Sequence, residues 1–120
     1  MMIGYHAVPI IVDAYFKKIP MDIPLAYEAC KQSAMVNERE IDLYKQYGYV
    51  PYDLDKSDEN WSVSKTLEYA YDDWCIAQFA KSLGKEQDEA YFAKRAENWR
   101  NLFDKETTFF RPKDSKGQFI

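Results

Sequence analysis

The sequence predicts an all-α chain of stacked antiparallel αα-hairpins that ends in a short β-hairpin-like segment. Three observations lead there. Apolar residues recur at helical spacing in four main blocks, alternating between blocks that are apolar on nearly every side and blocks with a polar face. Proline and glycine punctuate the blocks, and the modest connections favour antiparallel neighbours. The tail "TTFFRPKDSKGQFI" instead sets β-prone residues around a "KDSKG" turn.

Taken in order, Ile3 to Lys18 reads as a helix apolar almost all round, which requires other protein on every side, with Pro9 in its first turn or kinking it. No capping residue or polar lead-in precedes it, as expected of a piece of a longer protein. A two-proline break then opens a second helix, from Pro24 to about Met35, with Leu25, Ala26, Ala29, Cys30, Ser33 and Ala34 as its stripe. "NEREIDLYKQYG" predicts a short helical piece stopped by Gly48, and "YVPYDLDKSDENW" an ordered, irregular loop. The third main helix runs from Ser62 to a glycine stop at Gly84. Val63, Leu67, Ala70, Trp74 and Ala77 form one apolar stripe, and Tyr69, Ile76 and Leu83 a neighbouring one. The fourth, about Gln87 to Phe103, sets Phe92, Ala96, Trp99 and Phe103 against an outer face of Lys94, Glu97 and Arg100. A closed toroid of hairpins and an open solenoid both produce this alternation. No repeat of roughly 34 residues is visible, which does not favour the solenoid.

Composition narrows the function classes. The 120 residues carry a net charge of −4 with no basic run, so no nucleic-acid partner is expected. The apolar run from Ile3 to Phe16 is interrupted by His6, Pro9 and Asp13 and is too short to span a bilayer, so no membrane partner is expected. Cys30 and Cys75 lie far apart within helical patterns and read as buried free thiols. Aromatic residues make up 17% of the chain, suited to helix packing and to the walls of a polar-ligand site.

Candidate chemistry gathers at the start of the third helix. Lys65, Glu68 and Asp72 are spaced by three and four and share a face, either as a solvated ion-pair face worth a few tenths of a kcal/mol per pair or as a polar lining for sugar hydroxyls. Asp72 and Asp73 point about a third of a turn apart, a poor arrangement for an acid and base that face each other across a substrate. His6, the only histidine, stands among apolar residues, where a packed core role is the commoner outcome. No metal-ligand spacing, phosphate loop or catalytic triad pattern occurs.

Three stretches carry a resemblance. "MIGYHAVPIIVDAYFK", "SVSKTLEYAYDDWCIAQFAKSLGK" and "YFAKRAENWRNLFDKETTFFRPKDSKGQF" resemble consecutive parts of the calcium-dependent α-mannosidases of glycoside hydrolase family 92. The resemblance implies that residues 1 to 120 form a single partial domain, a middle slice of a catalytic (α/α)6 toroid. The substrates would be mannose-containing glycans, and the reaction an inverting, calcium-assisted release of terminal, α-1,2-linked mannose. Motifs reading like "EGNAWQY", "EPSHH" and "GNDDxGQMS", associated with the catalytic roles, do not occur here. No catalytic residue and no calcium ligand is therefore assigned within the chain, which is expected to be inactive alone. By the same resemblance Gly4 to His6, Ser62 to Glu68 and the "RPKDSKGQF" loop face the sugar, with Lys65, Glu68 and His6 as candidate substrate-binding residues. A slice of a toroid leaves inner-helix faces uncovered, so self-association is expected. The competing expectation is a helical-repeat interaction module without catalytic activity.

Overall fold

The computed structural model describes residues 4–120. Helix α1 spans Ala7–Phe16 with Pro9 in its first turn, and the expected start at Ile3 lies outside the described residues. Helix α2, Ile23–Met35, begins where the Asp22 carboxylate accepts the Leu25 N–H at 3.2 Å and Pro24 occupies a first-turn position that needs no N–H. Helix α3, Ile41–Tyr47, stops at Gly48, whose φ of 78° and close approach to Asn101 leave no room for a side chain. A 3-10 turn at Tyr52–Leu54 interrupts the loop before α4, Ser62–Ser82. Helix α4 ends as expected, with Gly84 left-handed and the Lys85 N–H bonded to the Ala80 carbonyl at 2.9 Å.

Helix α5, Glu86–Ala96, tightens into a 3-10 segment, Glu97–Leu102. The tail holds two tight pairings, of which the sequence suggested one. The "KDSKG" turn is closed by a bridge between Lys113 and Phe119. Ahead of it, β1 (Phe103–Asp104) pairs antiparallel with β2 (Phe109–Phe110) around Asp104, which accepts from the Glu106 N–H, Thr107 and Arg111.

Side-chain partners give the helix directions. Tyr5 meets Tyr69 and Asp73, whereas Tyr15 meets Phe79 and Ser82, so α1 and α4 run parallel. Tyr27 bonds Asp88 and the Ala34 carbonyl accepts from Arg95, so α2 and α5 also run parallel to each other. Each pair opposes the other. Two αα-hairpins therefore lie side by side, with α1 and α4 in one layer and α2 and α5 in the other, the fold class the sequence predicts. No helix among the described residues is long and apolar enough to cross a membrane.

The core corrects the predicted stripes. On α4 Thr66, Tyr69, Asp73, Ile76, Phe79 and Ala80 are buried, as expected of Tyr69 and Ile76; of the other stripe Ala70 and Ala77 are buried, but Trp74 is 51% exposed. On α2 the core residues are Tyr27, Cys30 and Ala34, and Leu25 faces outward. Helix α1, expected to be covered all round, buries Val8 and Val12 but leaves Ile10 69% exposed. A helix apolar on several faces does not specify which face meets a neighbour, because the 3.6-residue period is satisfied by each of them. Both cysteines are buried free thiols, and burial pushes the Cys30 thiol up to about 11.

Candidate functional site

The N-terminal half of α4 gathers three buried charged side chains, each with a different solution to burial. Lys65, in the first turn, is 4% exposed and sits between the Glu40 carboxylate at 2.8 Å and the Asp55 carboxylate at 2.7 Å. Burial works against its ammonium, but the hydrogen bonds and charges of the two carboxylates outweigh it and hold its pKa above the ordinary lysine range. Asp55 also accepts the Ser57 N–H and hydroxyl, so this ion-pair group staples the long loop to the helix. Asp73 accepts from the Tyr5 hydroxyl at 2.5 Å, the Tyr44 hydroxyl at 2.9 Å and Arg95 Nε at 3.0 Å. Burial nonetheless pushes its carboxyl up to about 6, against the pull of the Arg95 guanidinium.

Asp72 has no such partner. Its Oδ2 accepts the Tyr5 N–H at 2.9 Å, and its buried Oδ1 meets no donor among the described residues. Burial, reinforced by the neighbouring Glu68 and Asp73 carboxylates, pushes it up to about 7. Gly4 makes the approach possible: its φ is 92°, and a Cβ there would come within 2.8 Å of Asp72 Oδ2 and 3.1 Å of Glu68 Cβ.

The candidate residues thus separate. Glu68 and His6 flank Gly4, both partly exposed, whereas Lys65 turns to Glu40 and Asp55 and touches neither. Lys65 and Asp72 are buried, so their shared helix face is not solvated. Sequence reasoning missed Glu40 and Asp55, which lie 25 and 10 residues from Lys65 in loop segments with no periodicity to read. It also missed the turn at Arg39 and Glu40, both left-handed with φ of 51° and 61°, a conformation that costs a non-glycine residue roughly 1–2 kcal/mol.

His6 opens onto a cleft of about 640 Å³ at the junction of the α1 start, the α2 end and the α3 start. Gly4, Ser33, Glu38, Arg39 and Tyr69 also line it. The "RPKDSKGQF" loop reaches the α4 start through its neighbours: Ser115 bonds Asp53 through its N–H at 2.8 Å and its hydroxyl at 2.6 Å, and the Tyr52 N–H bonds the Lys113 carbonyl at 2.9 Å. Among the described residues no group of three His, Cys, Asp or Glu side chains is placed to hold a metal ion.

Residues 1–120 match the glycosyl hydrolase family 92 catalytic domain. An uncharacterized secreted glycosidase of Arthroderma benhamiae is 39% identical over 121 residues, covering 89% of this chain and 16% of that protein. Among solved structures, the family GH92 alpha-mannosidase BT3965 of Bacteroides thetaiotaomicron, in complex with mannoimidazole, superposes with a TM-score of 0.90 at 51% identity, over 99% of this chain and 15% of that one. The family GH92 inverting mannosidase BT2199 of the same organism gives 0.88 at 39% identity, over 100% of this chain and 17% of that one. The chain thus spans about a sixth of the length of these relatives. With the family match running from end to end and the helices superposing on both mannosidases, the chain belongs to glycoside hydrolase family 92.

Proposed function

We propose that this chain is a slice of the (α/α)6 catalytic domain of an exo-acting α-mannosidase that removes terminal, α-1,2-linked mannose with inversion. The observation that carries the reading is the end-to-end likeness, at 51% identity, to a mannosidase whose structure holds mannoimidazole. The parallel pair α1 and α4 supports it as two inner helices, with α2 and α5 as their outer partners. Inversion needs an acid and a base on opposite sides of the scissile bond, about 6.5–9.5 Å apart. Adjacent Asp72 and Asp73 are buried on one helix and already accept hydrogen bonds from Tyr5, Tyr44 and Arg95, so both catalytic carboxylates are proposed to lie in the rest of the enzyme.

In that enzyme the starts of α1 and α4 line the sugar site, with His6 and Glu68 nearest to it and Lys65 held behind them. Any calcium would be held by residues of the longer enzyme and would supply a hard cation suited to sugar hydroxyl oxygens. The longer protein is expected to release mannose from an α-1,2-mannobiose and to lose that activity on chelation of calcium, whereas the 120-residue chain releases none. Failure of the longer protein to cleave any α-mannoside would overturn the reading, and so would hydrolysis by the short chain that depends on one of its own carboxylates.

A second expectation concerns the outer side of α4. Leu67, Tyr71, Trp74, Trp99 and Phe110 line a groove of about 550 Å³ between α4 and α5, with the Tyr71 and Trp74 rings stacked 6.3 Å apart. In the longer enzyme the groove takes the next helical hairpin, and the chain alone is expected to self-associate through it. The sedimentation coefficient should rise with concentration, and Trp74→Ser should return it to the monomer value. A chain that stays monomeric at every concentration would contradict this.

A further inference from the structure

The turn at Arg39 and Glu40 is anchored beyond the needs of chain reversal. Two successive non-glycine residues stand left-handed, where glycine would be unstrained. The Tyr69 hydroxyl bonds the Arg39 carbonyl at 2.6 Å, and the Ile41 N–H bonds the Glu38 carbonyl at 2.9 Å. The Glu40 carboxylate takes the Lys65 ammonium at 2.8 Å and the Lys56 N–H at 3.3 Å. Lys65 is locked in turn by Asp55, so a buried ion-pair group bears on a strained turn. Strain so held collects at ligand clamps. The turn carries Glu38 and Arg39 into the lining of the cleft shared with His6 and Ser33, and Arg39 makes no ion pair or side-chain hydrogen bond among the described residues.

The lining also indicates a class of ligand. Arg39 offers planar donors and Glu38 acceptors, while the Ser33 hydroxyl gives its proton to the Ala29 carbonyl at 2.9 Å and keeps lone pairs for a donor. Val36 supplies exposed apolar surface beside them, backed by the buried Ile41 and the stacked rings of Tyr5 and Tyr69. The Glu38 carboxylate next to Arg39 disfavours a phosphate or another anion. Alternating donors and acceptors over apolar surface suit a neutral sugar ring, and the volume falls within the range of about 300–1,000 Å³ usual for small-ligand sites.

We propose that this cleft is a sugar subsite in which Arg39 is a binding residue, and that Lys65 is a positioning residue acting on Arg39 through Glu40. The identity of the sugar as mannose rests on the mannosidase reading; the cleft and its ligand class do not. The test has two arms. Titration of the 120-residue chain with methyl α-mannoside, methyl α-glucoside and methyl α-galactoside, followed by backbone amide shifts, is expected to move His6, Ser33 and Arg39 with at least one sugar, and Arg39→Ala should abolish the movement. In the longer enzyme Arg39→Ala is expected to raise KM about tenfold with kcat within a factor of about three, the size of one lost charged hydrogen bond.

Lys65→Met should raise KM to a similar extent, and the double variant should be no worse than Arg39→Ala alone. Lys94→Ala, on the exposed face of α5, is the control and should change neither constant. No amide shift with any of the three sugars, together with an unchanged KM for Arg39→Ala, would overturn the subsite. Effects of Lys65→Met that add to those of Arg39→Ala, and fall equally on kcat and KM, would overturn the positioning role. A longer protein inactive on α-mannosides, with the amide shifts still present, would remove the mannosidase reading and leave the subsite standing.

Discussion

Replacing Arg95 by methionine is expected to cost about 3–5 kcal/mol, the usual loss when one partner of a buried ion pair is removed. Three helices besides α5, and the segment ahead of α1, meet at this guanidinium. Nε bonds Asp73 on α4 at 3.0 Å, and Nη2 bonds the Ala34 carbonyl of α2 at 3.0 Å and the Tyr5 hydroxyl ahead of α1 at 3.3 Å. Tyr44 of α3 joins through Asp73 at 2.9 Å and lays its ring 5.3 Å from the guanidinium. Methionine keeps much of the length and none of the charge, so Asp73 is stranded. A small domain holds roughly 5–15 kcal/mol in all, and the change consumes much of it. The midpoint of urea unfolding checks this, and a loss below about 1 kcal/mol would contradict it. Adding Asp73→Asn to Arg95→Met should recover part of the loss, since the stranded charge disappears.

Asp72→Asn is expected to change the pH dependence of stability more than any other single substitution on α4. The Asp72 carboxyl lies at about 7 in the folded chain against an ordinary value of 3.8, so the native state binds the proton more tightly than the unfolded chain does. Stability from this group is complete below pH ~4, declines as pH rises and is lost on passing through about 7. The difference amounts to a few kcal/mol, at about 1.4 kcal/mol per unit of pKa. Among the described residues Glu68 and Asp73 are the carboxylates bearing on Asp72, with the Tyr5 N–H its hydrogen-bond donor, and no cation there offsets the loss. Asparagine holds the size without the charge. Its unfolding midpoint should fall less than that of the parent between pH 5 and pH 8; parallel declines would contradict this. A smaller slope of the same sign should persist from Asp73.

The fold was legible because its punctuation is local. Pro24 starts α2, Gly48 stops α3 and Gly84 stops α4, each by a backbone property of the residue itself. The parallel course of α1 and α4 was legible only as an alternation of apolar and amphipathic blocks, and needed the Tyr5 and Tyr15 partners to become a direction. The site was less legible. His6 and Glu68 were picked from wording and spacing, and the structure sets both beside Gly4. Lys65 was picked from the same spacing, yet its partners Glu40 and Asp55 come from loops whose paths depend on packing elsewhere.

By itself, then, the sequence determined the helices, their order and the proline and glycine punctuation at Pro24, Gly48 and Gly84, and through three long stretches of wording it pointed to the family. These properties rest on interactions within a few residues, or on likeness read position by position. Only the tertiary structure decided which face of each helix is core, placing Tyr69 and Asp73 inside and Trp74 and Ile10 outside. It also decided that Lys65 holds Glu40 and that Arg95 joins four helices and the segment ahead of α1. Such choices depend on which distant segments come to lie alongside, because several faces of one helix meet the apolar period equally well and a buried charge is stable only where a remote partner reaches it.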